Sequence, residues 1–299
     1  MEFRNIVISN PARLSIKHNQ LCIMQEREAL IPLEDICSVL LESRQIQISA
    51  AALERLAVSG ITVFFCDEKH LPSAQLVAMN QFSRQHKMLY AQFELPRPIQ
   101  KQLWKCIVQQ KINNQAACLR LSGKAGFEEL EKMVQAVRSG DVTNVEAQAA
   151  ACYFPKLFGQ GFTRNDVCLQ NAALNYGYAI LRGAIARNLV MHGLEPCIGL
   201  QHHNQLNSYN LADDLIEPFR PLIDLYVASL PDTEGDELTP AIKRRLFNAT
   251  NLLMLQNGKK MRVMYAIGRS AASLAKSIAN QENTLELPTL IGLEEGRYE

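Results

Sequence analysis

Three side chains able to hold a divalent cation stand in distinctive local settings in this chain. Glu146 opens a small-residue helix, Glu146-Ala-Gln-Ala-Ala-Ala-Cys-Tyr-Phe154. His202 follows a glycine in Gly199-Leu-Gln-His202, and Glu217 lies within Asp214-Leu-Ile-Glu217-Pro-Phe-Arg-Pro221. Two carboxylates and an imidazole can bind a metal and leave positions open for water and a substrate oxygen. Such an ion polarises a phosphoryl group or generates an oxygen nucleophile. Each residue also has a plainer role open to it. Thr143-Asn-Val-Glu146 fits a capping box, in which the glutamate reaches back to the cap amide. Asp213-Asp214 fits the favourable charge at a helix N-terminus. His203 points elsewhere than His202 and stays a minority candidate. Asp214 and Glu217, three apart, share a helix face, and Pro218 predicts a kink there. Arg220, one turn beyond Glu217, can hold a carboxylate or contact a phosphate. Asn171, Asn175, Tyr178 and Arg182 form a polar and aromatic stripe that either faces solvent or lines a pocket.

The elements that must position these groups fall into two regions. Residues 1–78 read as β-rich: short alternating runs at Ile6–Ile8, Leu14–Lys17, Leu21–Met24, Ser38–Glu42 and Ile46–Ser49, with a buried run at Ile61–Cys66. His18-Asn-Gln supplies a turn, and Ser49 can cap a helix through Leu56. Residues 79–299 read as all-helical. The periodicity predicts helices over 79–94, 97–121, 126–139, 143–158, 165–193, 211–229, 239–256 and 258–281, broken at Pro96–Pro98, Gly159–Gly161 and Pro231–Pro240. The tail from Gln281 reads as irregular, its last residues mobile. The expectation is an α+β protein: a small β-rich domain, then a larger all-α catalytic domain.

At 299 residues the chain exceeds the usual single core, and its 47% hydrophobic and 20% charged residues mark a globular protein. Its first residues lack the basic-then-apolar pattern of a secretory signal, and no apolar run is long enough to span a membrane. The eight cysteines form no Cys-x-x-Cys pair and read as small buried hydrophobes in a reducing, cytoplasmic setting. The net charge of +1 is uninformative, but its distribution is not. Arg84, Lys87 and further bases crowd residues 81–124 against the single acid Glu94. Lys243, Arg244, Arg245, Lys259, Lys260, Arg262 and Arg269 occupy 241–270 with no acid. Basic stretches beside an acidic pocket fit a protein that neutralises a phosphate backbone around a reaction centre; a solvated helix face is the alternative.

The wording around the three ligands resembles that of the CRISPR-associated integrase family, the nuclease-like subunit that inserts new spacers into a CRISPR array. The likeness extends to Asn171-Ala-Ala-Leu-Asn-Tyr-Gly-Tyr178, Ile31-Pro-Leu-Glu-Asp-Ile36 and Lys111-Ile-Asn-Asn-Gln115, so it covers nearly the whole chain. It implies that Glu146, His202 and Glu217 hold Mg²⁺ or Mn²⁺ while a 3′-hydroxyl of a short DNA duplex, the protospacer, attacks a phosphodiester at the CRISPR repeat. It implies a homodimer through the β-rich domain, two such dimers flanking a central dimer of a small CRISPR-associated partner, and a type II array. Arg84, Lys87, Arg220, Lys243, Arg244, Arg245, Lys259, Lys260 and Arg262 are candidate contacts to double-stranded DNA. A non-catalytic DNA-binding scaffold and a hydrolase of small phosphoesters are the rival readings.

Overall fold

The structure, a computed structural model, describes residues 4–68, 70–76, 78, 84–231 and 237–295. The chain divides into two compact units, residues 1–81 and 82–297. The first holds strands β1 (Arg4–Ile8), β2 (Arg13–Lys17), β3 (Gln20–Met24), β4 (Glu28–Pro32), β5 (Ile36–Leu41) and β6 (Gln47–Ile48). Helix α1 (Ala50–Val58), β7 (Thr62–Cys66) and β8 (Pro72–Leu76) complete it. Two four-stranded sheets form, ordered β1-β5-β7-β8 and β4-β3-β2-β6. The β2–β3 hairpin turns at His18 and Asn19, both at positive φ (47° and 61°), the backbone that matches strand twist. The Ser49 hydroxyl accepts from the Ala52 amide at 3.2 Å, the cap expected from sequence. Leu14, Leu21, Val39, Leu56 and Val63 form the core from alternating strand positions and the inner face of α1.

The second unit runs α2 (Gln85–Phe93), α3 (Arg97–Leu121), α4 (Phe127–Ala136), α5 (Val145–Phe158), α6 (Leu169–Met191), α7 (Asn210–Leu215), α8 (Arg220–Ala228) and α9 (Pro240–Asn248). Strands β9 (Leu252–Gln256) and β10 (Lys259–Arg262), α10 (Val263–Asn280) and β11 (Thr289–Glu295) follow. The α+β class holds. The helical unit nevertheless carries a three-stranded antiparallel sheet, β10-β9-β11, where helices over 239–256 and 258–281 and an irregular tail were expected. Asn257 and Gly258 take φ of 51° and 73°, the pair that a two-residue hairpin turn requires. Lys259 and Lys260 therefore sit in a strand and do not open a helix. The expected break at Pro218 is present: a 3-10 turn, Glu217–Phe219, separates α7 from α8. Residues 79–83 of the first expected helix, 232–236 of the Pro231–Pro240 break and 296–299 of the tail lie outside the described residues. No helix among those described is long and apolar enough to cross a membrane.

Helix α3 is the spine of this unit. Its apolar face buries Leu103, Trp104, Ile107, Val108, Ile112 and Leu119, and it packs against α4, α5, α8 and β11. One polar residue on that face joins distant segments. Asn114, fully buried, donates to the carbonyls of Pro218 (2.6 Å) and Pro288 (3.0 Å) and accepts from the Leu290 amide (3.0 Å). It thereby ties the turn carrying Glu217 to the start of β11. Asn114→Ala strands these three backbone groups in a dry interior. The expected loss is on the order of 3 kcal/mol, read as a shift in the urea midpoint, because each unpaired buried group costs about 1–3 kcal/mol. An unchanged midpoint would show that the tie is dispensable.

Candidate active site

The four residues that meet at the centre come from three helices and one turn. Lys111 projects from α3, Glu146 from the first turn of α5, Glu217 from the 3-10 turn after α7, and Arg220 from the start of α8. The Lys111 ammonium donates to Glu146 Oε1 at 2.6 Å and also pairs with Glu217 Oε2. Arg220 Nε donates to Glu217 Oε1 at 2.9 Å, so both oxygens of Glu217 face cations. Burial works against charge on Lys111, Glu217 and Arg220, yet the mutual attraction wins. Arg220 and Lys111 hold the Glu217 carboxyl below its ordinary range despite its burial. Burial also opposes charge on Lys111, but Glu217 and Glu146 raise its pKa all the same. Two carboxylates distant in sequence thus converge on one cation.

The capping-box reading of Glu146 does not hold. The N-terminus of α5 is capped from outside the expected box: the Asp141 carboxylate accepts from the amides of Val145 (2.9 Å) and Glu146 (3.0 Å). Thr143 makes no cap bond to the helix, and Asn144, at φ 52°, lets the chain turn in. Because Asp141 satisfies those amides, the Glu146 side chain is free to reach Lys111.

His202 is held by a second carboxylate. Asp214, wholly buried at the end of α7, accepts from the amides of Leu200 (2.6 Å), Gln201 (3.1 Å) and His202 (3.2 Å), and contacts His202 Nδ1 at 2.7 Å. The loop curls around Asp214 only because residue 199 is glycine; a Cβ there would lie 2.2 Å from the His202 carbonyl oxygen. The hydrogen bond to Asp214 raises the His202 pKa against partial burial, and the charge of Glu217 adds to the effect. The Trp104 ring meets the imidazole edge-on at 6.0 Å. His203 is exposed. Asp214 is thus more than a helix-end charge: it fixes which ring nitrogen of His202 is engaged and leaves Nε2 for a ligand.

Beside the carboxylates lies a pocket of about 170 Å³, lined by Lys111, Gln115, Phe154, Arg164, Tyr178, Glu217, Arg220 and Asp224. The α6 stripe supplies one wall. Tyr178 carries the Arg220 guanidinium on its ring at 4.5 Å, and Asn171 and Asn175 hold Arg164. Arg182 turns instead to Asp213 (4.0 Å) and to the Tyr209 ring (5.0 Å). The bases singled out for DNA lie apart from the pocket, except for Arg220. Arg84 at the N-cap of α2 and Lys87 on α2 are exposed, as are Arg244 and Arg245 on α9 and Lys259 and Lys260 on β10, with Lys243 and Arg262 half-buried. Lys260 pairs with Glu294 at 2.6 Å. Among the described residues no three His, Cys, Asp or Glu side chains are gathered as a ready metal site; the cation between the glutamates is Lys111.

Asp224 closes the inner end of the pocket and accepts the hydroxyls of Tyr153 (2.9 Å) and Tyr178. Burial raises its pKa to about 6 against those hydrogen bonds. A carboxyl with a folded pKa above its unfolded value near 3.8 contributes stability at low pH. That contribution is lost as pH rises from about 4 to about 6. Asp224→Asn should therefore remove a fall in unfolding free energy of about 3 kcal/mol over that range. Urea titrations at several pH values read it directly, and a variant with the same slope as the parent would rule it out.

The CRISPR associated protein Cas1 family model matches residues 6–235. The CRISPR-associated endonuclease Cas1 of Neisseria meningitidis serogroup C (strain 8013) is 42% identical over 305 residues, covering 100% of each chain. Among solved structures, a casposase bound to integration product superposes with a TM-score of 0.74 at 18% identity, over 95% of this chain and 92% of that one. A chain of a Cas6–RT–Cas1–Cas2 complex does so with a TM-score of 0.69 at 18% identity, over 95% of this chain and 36% of that one. These structural likenesses concern the fold. With a family match over most of its length and a full-length relative at 42% identity, the chain belongs to the CRISPR-associated protein Cas1 family.

Proposed function

We propose that this protein is a divalent-metal-dependent DNA endonuclease and integrase that inserts short DNA fragments into a CRISPR array. The observation that carries the reading is the convergence of Glu146 and Glu217 on one cation, with His202 oriented by a buried carboxylate nearby. The donor set suits Mg²⁺ or Mn²⁺ held by Glu146, His202 and Glu217. The carboxylates already balance a positive charge, and an imidazole bonded through Nδ1 to a carboxylate is the usual arrangement of a metal-ligating histidine. The imidazole inclines the site toward Mn²⁺ relative to an all-oxygen set. When bound, such an ion neutralises charge developing on the phosphoryl oxygens.

The reaction is a transesterification. A 3′-hydroxyl oxygen of the incoming strand loses its proton and forms a bond to phosphorus, while the bond from that phosphorus to the 3′-oxygen of the array strand breaks and that oxygen takes up a proton. The number of phosphodiester bonds is unchanged, so no nucleoside triphosphate is consumed. The pocket residues set the geometry that in-line attack demands. Lys111 and Arg220 surround the buried Glu217 with positive charge. Asp214 prevents the imidazole from turning. Family relatives named as endonucleases, and a structural neighbour described as a casposase on an integration product, support this chemistry. The neighbour named for a Cas1–Cas2 assembly supports Cas2 as the small partner. The reading further includes a homodimer through the β-rich unit, double-stranded DNA held by the bases on α2, α9 and β10, and a type II array.

A strand-transfer assay with labelled duplex, divalent metal and the small partner tests this. Joined products are expected from the parent protein, and a loss of roughly 100-fold or more from each of Glu146→Ala, His202→Ala and Glu217→Ala with unchanged circular dichroism. DNA binding without joined products from the parent would favour the scaffold reading, and full activity in a variant would remove that residue from the site.

A further inference from the structure

One cation of the pocket stands apart from the rest in how it is held. Lys111 and Arg220 are committed to carboxylates. Arg164 is not: its guanidinium donates to the amide oxygens of Asn171 and, at 2.8 Å, of Asn175, and no carboxylate lies within ion-pair distance of it among the described residues. Both asparagines sit on α6, one turn apart, and Asn171 is itself fixed through its amide nitrogen to the carbonyls of Thr163 (2.8 Å) and Asp166 (2.9 Å). The guanidinium lies 5.8 Å from the Phe154 ring centre and 5.4 Å from that of Tyr178. Neutral amide oxygens and ring faces aim the group, and the buried Asp224 carboxylate of the same pocket acts on it only at longer range.

The other lining residues indicate what the charge is for. Tyr178 carries Arg220 at 4.5 Å and Arg164 at 5.4 Å, so one ring holds two guanidinia beside the same pocket. The pocket, at about 170 Å³, has several times the volume one water requires. Planar guanidinium is the side chain best matched to a phosphate, which it can meet with two parallel hydrogen bonds.

We propose that Arg164 seats a backbone phosphate of the DNA strand whose neighbouring linkage reacts at Glu146 and Glu217, with Phe154 as the apolar wall for the attached nucleoside. The inference rests on the integrase reading and adds to it the group that sets strand register. Arg164 is a positioning residue. It places the reacting linkage along the strand and does not touch the reacting atoms. Asn171 and Asn175 act through it.

The test is a chemical double-mutant cycle in the strand-transfer assay with the full complex. Array strands carry a neutral methylphosphonate at one linkage at a time, scanned across the few positions on either side of the reacting linkage. For the parent, one position should raise the apparent KM about tenfold or more, with kcat changed far less, and Arg164→Ala should raise KM similarly on the unmodified strand. At that position the two losses should not add: Arg164→Ala should be indifferent to the methylphosphonate, while Arg164→Lys recovers part of the KM. Asn175→Ala, which frees the guanidinium without removing its charge, should fall between parent and Arg164→Ala. If the effects add at every position scanned, or if Arg164→Ala joins DNA with the parent's KM, the seat does not exist. If Arg164→Ala does not fold, Asn175→Ala run through the same scan decides, with additivity at all positions overturning the proposal. Absence of joining by the parent protein would fall on the integrase reading instead.

Discussion

The shared ion pair of Lys111 with Glu146 and Glu217 is the constraint around which the catalytic unit is arranged. A buried ammonium needs anionic partners, and the buried Glu217 and half-buried Glu146 need a cation, so each of the three groups favours the charged form of the others. Satisfying them requires α3, α5 and the turn before α8 to meet at one point. Three subsidiary devices make that meeting possible. Asp141 caps α5 and releases Glu146. Pro218 stops α7 so that Glu217 sits in a tight turn. Asn114, one turn from Lys111 on α3, grips the backbone of that turn. Each acts on backbone geometry, and together they place charge.

The same logic extends outward from the ion pair. Arg220 takes the second oxygen of Glu217 and lies over the ring of Tyr178, whose hydroxyl goes to the buried Asp224. Asp214 plays for the histidine loop the part that Lys111 plays for the glutamates: one buried charge collects the loose ends of a segment with no regular structure. Three amides and an imidazole converge on it, and a glycine makes the convergence sterically feasible. The site is therefore held by charges that face inward, while Arg84, Lys87, Arg244, Arg245, Lys259 and Lys260 are exposed.

Much of this was legible in the residues, and the failures have physical causes. The two-part organisation followed from a change in hydrophobic period, and α3 matches its expected span because no competing signal interrupts it. Glu146, His202 and Glu217 stood out by local wording. The β9–β10 hairpin was misread as helix because Leu252-Leu-Met-Leu255 suits either state, although Asn257-Gly258 is a strong turn signal that should have decided it. The capping box at Thr143 lost to Asp141, a tertiary arrangement enabled by positive φ at Asn144, which no spacing rule encodes. Lys111 was visible as one base of a basic stretch and as the start of the Lys111–Gln115 wording, with no role of its own assigned. Its place between Ile107, Val108 and Ile112 on the buried face was the signal that it needed a carboxylate. Arg164 had no signal at all, since its partners are amides and rings brought together by the fold.

The central claim is that Glu146, His202 and Glu217 form a site for one divalent cation where Lys111 now supplies the charge. Calorimetric titration of Mn²⁺ into the folded protein tests this without reference to DNA joining. The account expects about one Mn²⁺ bound per chain and an affinity loss of at least about tenfold in Glu217→Gln, a near-isosteric change that removes a single charge. Equal Mn²⁺ binding by the parent and by Glu217→Gln would contradict it.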